Sequence, residues 1–499
     1  MAQIKTRDFF KASERSMRDP QLQRALRRVG SGFDNARLQA IDEVTPEVWK
    51  AWQEQARRIK THALNHLDYY LERLYDSVTK AGGQVHFAAD ADEANAIVAD
   101  LVRTRNVRIA TKSKSMVSEE LALNPVLESE GVEVYETDLG EYIIQLAGET
   151  PSHLVAPALH KSKEDVARLF TEKLGLPHLD DIEAMARAAR EVLREKFLQA
   201  DLGISGANFV VAETGTTVII TNEGNGRLCT SAPRIHIAIT GMEKVIPSLQ
   251  DLAVFLRLLP RSATGQRITS YVSMITGPRR QDDEDGPEEF HLVLVDNGRS
   301  RMLADPELRE ALYCIRCGAC LNICPVYQKV GGHAYGWVYP GPIGAVVSPM
   351  LVGLKQAKDL PYASSLCGAC REVCPLKINI PRMLLHLRHK LAESPDAEER
   401  AVGGVEGLLA RGYARLMSGP GRLSFFSKVG RILQTLLLTF PLSPFSPRSP
   451  FSKRGRWIRR VPLPLLSRWT RARDLPALPP RTFHDIWRRG LSQERDVDR

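Results

Sequence analysis

Cys314-Ile-Arg-Cys317-Gly-Ala-Cys320-Leu-Asn-Ile-Cys324-Pro325, answered after a spacer by Ser364-Ser-Leu-Cys367-Gly-Ala-Cys370-Arg-Glu-Val-Cys374-Pro375, is the stretch that decides how this chain is read. Seven of the eight cysteines in the 499 residues lie in it. Each iron of a cubane cluster takes one terminal thiolate, so a short loop must turn three thiolates inward around one cluster. Gly318, Ala319, Gly368 and Ala369 let the backbone wrap closely and aim amides at the sulfurs. The proline after each fourth cysteine turns the chain away. In two-cluster ferredoxins the fourth cysteine of each run serves the other cluster. By that rule Cys314, Cys317, Cys320 and Cys374 hold one 4Fe–4S cluster, and Cys324, Cys367 and Cys370 hold a second.

The second run is incomplete, because Ser364 stands where its first cysteine is expected. Three readings of that centre stay open: a 3Fe–4S cluster, a 4Fe–4S cluster completed by Ser364 or another oxygen or nitrogen ligand, or an iron with an open position. A zinc site or disulfides are the other uses of closely spaced cysteines. Zinc knuckles rarely combine this run with a near-copy, and a reducing cytosol disfavours disulfides.

Upstream of the cysteines, residues 1–80 read as a charged helical segment, with apolar residues at helical intervals in Val48–Arg58 and Leu64–Leu74. His62 and His66 stand one turn apart, and a solvated face is the simpler reading of them. From about Gly82 strands and helices alternate: Gln84–Ala88, a helix over Ala91–Arg103, Val107–Thr111, a helix capped by Ser115 or Ser118, and Gly131–Tyr135. This repetition predicts an α/β domain over 81–302 with a largely parallel sheet, whose ligands bind outside the carboxyl ends of the strands. Within it, Ala207–Arg227 reads as two strands around Glu213-Thr-Gly215 and then a glycine-rich loop, and Pro233–Lys244 as a strand ending in a loop. Lys112 and Glu213 are candidates for ligand or catalytic roles as much as structural ones. His236 is expected to be a satisfied structural histidine and Cys229 a buried thiol.

Leu303–Leu312 reads as a short helix running straight into Cys314, which would mount the clusters firmly on the α/β domain. The cluster domain is expected over 303–402, with Gly331–Gly344 as an irregular loop and Ile378–Leu391 as an amphipathic helix starting near Pro381. The remainder, 403–499, is expected to be partly ordered. Between Arg448 and Arg473 it carries nine Arg or Lys and no acid, with Trp457 and Trp469 interleaved, and much of the net charge of +9 resides there. A solvated tail, a membrane surface or an acidic protein partner would suit it; no nucleic-acid motif accompanies it. The opening residues lack the uninterrupted apolar segment expected of a signal peptide, and no run reaches the roughly 18 to 20 apolar residues of a membrane span. A cytoplasmic location is expected, with peripheral contact at the inner membrane face open to the tail.

An α/β domain bearing Thr111-Lys-Ser-Lys-Ser115 and Glu213-Thr-Gly215, then Cys314–Pro325, then Ser364–Pro375, closely resembles the lactate-utilisation protein B family. The likeness covers nearly the whole chain. It implies a lactate-utilisation domain of sugar-phosphate isomerase/CoA-transferase-like fold, followed by an α-helical ferredoxin-like two-cluster domain and the basic tail. It also implies the iron–sulfur subunit of a bacterial L-lactate dehydrogenase complex, which oxidises L-lactate to pyruvate. Expected partners are a cysteine-rich-domain subunit and a second protein made of the lactate-utilisation domain alone. The family pattern likewise has three cysteines for the second cluster, so Ser364 is a family feature. Two other classes compete: a hydro-lyase using the three-cysteine iron as a Lewis acid on a hydroxy acid, and a ligand-binding scaffold.

Overall fold

The computed structural model describes residue 4, residues 8–396, 399–401 and 405–439, and positions 457, 458, 475, 476, 478, 479, 483, 486, 487 and 490. Two compact units emerge, Met1–Ala401 and Val402–Arg499.

Four helices open the first unit: α1 (Phe9–Arg18), α2 (Pro20–Asp42), α3 (Pro46–Asn65) and α4 (Leu67–Lys80). Local chemistry sets their starts. The Asp19 side chain accepts the amides of Gln21 and Leu22, Thr45 accepts that of Val48, and a proline follows each cap at the first helical position. Their apolar stripes, such as Leu22 and Leu26 of α2 and Ala56, Ile59 and Ala63 of α3, face one continuous core.

Six parallel strands form the main sheet: β1 (Gln84–Ala88), β2 (Ile109–Lys112), β3 (Glu133–Glu136), β4 (Leu202–Ser205), β7 (Ile235–Gly241) and β10 (Glu289–Val295), in the order β1-β10-β7-β4-β2-β3. Interior strands read almost continuously apolar, as a sheet covered on both faces requires; β7 and β10 pair Ile237 with His291 and Val295 with Gly241. A second sheet, β8-β5-β6-β9, joins β5 (Phe209–Val211), β6 (Thr216–Thr221), β8 (Val245–Ile246) and β9 (Tyr271–Ile275). The β5–β6 hairpin turns at Gly215, where φ is +69° and a Cβ would lie 2.7 Å from the Val78 amide nitrogen. Only glycine fits there, which accounts for the Glu-Thr-Gly turn.

The cysteine region is wrapped by the same core. Leu321, Tyr335, Val346 and Leu384 join it with Leu26, Ala63 and Phe209. Gln53 donates to the Cys374 carbonyl at 3.2 Å, and Arg57 donates to the carbonyls of Leu376 and Lys377 at 3.2 and 3.0 Å. The opening helices therefore brace the cysteine loops as well as the sheet.

Two local expectations change. The helix read over Leu303–Leu312 is a short helix, Arg299–Ala304, and a separate 3-10 turn, Arg309–Tyr313. Pro306 explains the break, since the residue before a proline avoids helical dihedrals. The loop read over Gly331–Gly344 contains a 3-10 turn, His333–Tyr335, and the first turn of a buried helix, Gly341–Val352. In the region from residue 404, expected to be partly ordered, Val405–Met417 and Pro420–Thr439 are helices. Most of the basic stretch Arg448–Arg473 lies outside the described residues; within it, Trp457–Ile458 pairs with Leu475–Pro476. Among the described residues no helix is long and apolar enough to cross a membrane.

Candidate iron–sulfur centres and an adjoining cavity

Four of the cysteines wall one enclosed space. Cys314, Cys317, Cys320 and Cys374 surround it with aliphatic neighbours such as Leu154, Ile315, Ile343 and Ile378. Cys314 ends the 3-10 turn; Gly318, at φ +78°, reverses the chain after Cys317; and Cys320 rides on a short helix, Ala319–Ile323. Cys374 arrives from the second run, just past the helix Ala369–Glu372. Backbone amides aim at the sulfurs: Arg316 N–H at Cys314 Sγ and Ile378 N–H at Cys374 Sγ, both 3.4 Å. Four soft donors, an apolar cradle and inward amides are the donor chemistry of a thiolate-bound cluster.

The thiols sort electrostatically into two groups. Burial pushes the Cys317 thiol up, and Cys314 and Cys374 add to that; burial holds Cys320 high, with Cys314 and Cys317 next. Cys374 is pushed up to about 11, chiefly by burial, with Cys314 contributing. In the other group burial raises Cys324, with Cys367 adding, and burial, Cys324 and Cys367 push Cys370 up to about 12. Cys320 also feels Cys370, so the groups adjoin. The second group reaches the surface: Cys367 is exposed, and the Ala369 amide with the Ser365 hydroxyl holds its thiol below the ordinary range. Among the described residues no three of His, Cys, Asp and Glu converge on a point suited to a single ion. Thiolates on a cubane each bind a different iron and stand further apart than ligands of one ion.

Beside the enclosed space, at the carboxyl ends of the parallel strands, lies a cavity of about 420 Å³. Its walls come from the loops after β2 (Ser113, Lys114, Ser115), after β4 (Gly206, Asn208) and after β7 (Glu243, Lys244), from the second sheet, and from Arg316 and Tyr339 of the cysteine region. Arg316, between Cys314 and Cys317, has φ +60° and its guanidinium lies 4.4 Å over the Tyr339 ring. Lys244 is 7% exposed, and burial pushes its ammonium down to about 8.

A buried ionic network underlies this wall. Arg299 makes two 2.9 Å bonds to the Glu120 carboxylate and one of 2.7 Å to Glu243, while Tyr339 and Asn297 donate to Glu120 at 2.7 and 2.6 Å. Burial would raise Glu243, but Arg299 first and then Lys244 and Arg316 bring it down to about 2. Lys60 of α3 donates to the Glu243 carbonyl; burial, then Lys244, pushes it down to about 7. Cations thus gather between the cavity and Cys314.

Other residues singled out in the sequence fall as follows. Ser115 lines the cavity and caps the helix Met116–Leu121 by accepting the Ser118 amide at 3.2 Å. Lys112 is buried in an ion pair with Glu136 at 2.6 Å and Glu119 at 3.0 Å, a structural role at the end of β2. Burial opposes its charge, yet Glu119 and Glu136 hold its pKa up. Glu213 is exposed, accepts the Leu249 amide at 3.3 Å and is not part of the cavity wall. His236 is buried with Nε2 2.7 Å from Ser205 Oγ, and burial pushes it down to about 3; Cys229 is a buried thiol pushed up to about 12. His62 bonds Tyr70, a structural contact. The Ser364 hydroxyl oxygen accepts the Leu366 amide at 3.1 Å. Sequence reasoning missed Arg316, Lys244, Tyr339 and the Arg299 network; the available signal was a Glu-Lys pair following a strand's carboxyl end.

Comparison with known proteins matches residues 71–295 to the LUD domain family, 310–378 to the 4Fe-4S dicluster domain family and 388–491 to the family "Lactate utilisation protein B, C-terminal". A protein named "Lactate utilization protein B" from Bacillus velezensis is 46% identical over 450 residues, covering 90% of each chain. One of the same name from Bacillus subtilis is 45% identical over 460 residues, 92% of this chain and 91% of the relative. The "Uncharacterized electron transport protein YkgF" of Escherichia coli is 42% identical over 493 residues, 98% of both.

Proposed function

Since the chain belongs to the lactate utilization protein B family, we propose that it is the electron-transfer subunit of a system that oxidises L-lactate to pyruvate. The observation that carries this reading is the enclosed space walled by Cys314, Cys317, Cys320 and Cys374. These four hold a 4Fe–4S cluster, and Cys324, Cys367 and Cys370 hold the second. Bound clusters supply one-electron relay steps, which a two-electron donor such as lactate needs in pairs. The chain's own residues set the conditions. Amides of Arg316, Ile378 and Tyr327 point at cluster sulfurs, Lys60, Lys244 and Arg316 favour added negative charge nearby, and aliphatic walls keep water from the inner site.

The fourth ligand of the second cluster is a serine oxygen, an outside group or no ligand, the last giving a 3Fe–4S centre. Recruiting Ser364 requires its hydroxyl to lose a proton, and the Leu366 amide that donates to the oxygen would favour the resulting alkoxide. Cys367 at the surface suits exchange with a partner, for which a cysteine-rich-domain subunit and a lactate-utilisation-domain subunit are the proposed candidates. The hydro-lyase reading would have substrate touch the three-cysteine centre, whereas the cavity adjoins the four-cysteine one. Anaerobic reconstitution tests the proposal. Iron and sulfide should reach about seven or eight per chain with reversible reduction, and lactate with the partner subunits should reduce the clusters. A chain that takes up no iron, or whose system oxidises lactate undiminished after Cys317→Ser, would sink it.

A further inference from the structure

We infer that the cavity at the carboxyl ends of the parallel strands binds the carboxylate of a small 2-hydroxy or 2-oxo acid through Lys244 and Arg316. The identity of the acid rests on the lactate-oxidation reading; the anion site itself rests on four features of the wall. First, Lys244 is buried and makes no hydrogen bond or ion pair among the described residues. A largely buried cationic side chain that opens on a cavity and has no bonded partner favours an anion there.

Second, Arg316 adopts φ +60°, a turn that Leu366 repeats at φ +55° before Cys367, and this turn of the cysteine loop carries the Arg316 side chain into the cavity wall. Its Nη1 is buried without a hydrogen-bond partner while the Tyr339 ring fixes the guanidinium plane. A planar fork held with a free edge suits a carboxylate. Third, Ser113 Oγ, on the loop after β2, and Asn225 Oδ1, at the start of the helix Asn225–Ser231, are also buried and unpartnered, so one cavity gathers three orphaned polar atoms. Ser113 Oγ can donate to the oxo group of such an acid or accept from its hydroxyl, and Asn225 Oδ1 can accept from the hydroxyl. Fourth, Glu243, the acid adjacent to Lys244, bonds Arg299 at 2.7 Å, so this one carboxylate is shared among Arg299, Lys244 and Arg316. Asp138 and Glu223 also line the cavity, with Lys114 beside them. Leu259 and Pro260 offer an apolar surface for the acid's carbon chain.

Position argues for an oxidisable carboxylate over phosphate, because Arg316 belongs at once to this cavity and to the loop between Cys314 and Cys317. A ligand held by Arg316 lies next to the four-thiol site. The competing explanation of the cations is that they only balance the charge of a thiolate-bound cluster.

Calorimetric titration of the full-length, cluster-loaded chain with oxamate, under argon, separates these. Saturable binding is expected, weakened at least about tenfold by Lys244→Met and largely restored by Lys244→Arg, with iron content unchanged. Ser113→Ala should weaken oxamate binding while leaving the empty chain as stable as before, since it removes a hydroxyl that bonds nothing there. Absence of saturable binding, Lys244→Met binding like wild type with only the reduction potential lowered, or equal competition by inorganic phosphate would each overturn the inference. If oxamate binds as expected while lactate and the partner subunits leave the clusters oxidised, the proposed function fails and the anion site stands.

Discussion

The two cysteine groups share a motif yet sit in different surroundings. Cys314, Cys317, Cys320 and Cys374 line a closed, aliphatic space braced by α3 and by the Arg299 network, whereas Cys367 of the other group is exposed. Burial and like-charge neighbours push the inner thiols up, while at Cys367 the Ala369 amide first, with the Ser365 hydroxyl, holds the thiol down. Near-identical local sequence therefore yields one insulated centre beside a cavity and one centre at the surface. The lesson is that the spacing selects the ligand type, and the surrounding layers select what each centre can reach.

The sharpest way to break this contrast is to remove one ligand from each group. Cys317→Ser should abolish the inner cluster, halving iron per chain, while Cys367→Ser should spare it and remove only the surface centre; iron analysis with electron paramagnetic resonance reads both. Equal loss in the two variants would mean that the groups are one site.

Next comes the brace. Arg299→Met leaves Glu120 and Glu243 buried without their cation and should cost about 3–5 kcal/mol of unfolding free energy, measured by urea titration. Because Tyr339 bonds Glu120, the inner centre should lose iron to a chelator faster in this variant, with the surface centre unchanged. Ser364→Cys addresses the other side of the comparison. A fourth thiolate should convert the surface centre to an ordinary 4Fe–4S cluster and slow its loss in air, read as a change in its resonance signal.

The effect expected to leave both centres untouched concerns His236 on β7 of the main sheet. His236 has a folded pKa of about 3, below its ordinary 6.5, so the unfolded chain takes the proton first as pH falls. Its contribution is fully present above pH 6.5 and is lost toward pH 3, by about 1.4 kcal/mol per unit. His236→Gln should flatten that slope in pH-dependent denaturation without changing the iron content of either centre.

Much of this was legible before any coordinates. Strand-like residues and period-3.6 spacing located β1 and the helix Ala91–Thr104 to within a residue or two, because such patterns act over a few neighbouring positions. Glu213-Thr-Gly215 was visible as a turn, since its glycine is required by φ alone. Its possible chemistry was not, because Glu213 points to solvent and caps nothing but the amide of Leu249. The same holds for Lys112, whose partners Glu119 and Glu136 come from different elements.

By itself, then, the sequence determined the cysteine spacing of an iron–sulfur domain and the element types, because thiolate spacing and hydrophobic period act over a few residues. Only the tertiary structure decided that Cys374 shares a space with Cys314, Cys317 and Cys320, and that Arg316 meets Lys244 and Tyr339 across a cavity. Those meetings join residues dozens to hundreds of positions apart. They arise from strand order and from helices packing on both regions at once, which no local pattern encodes.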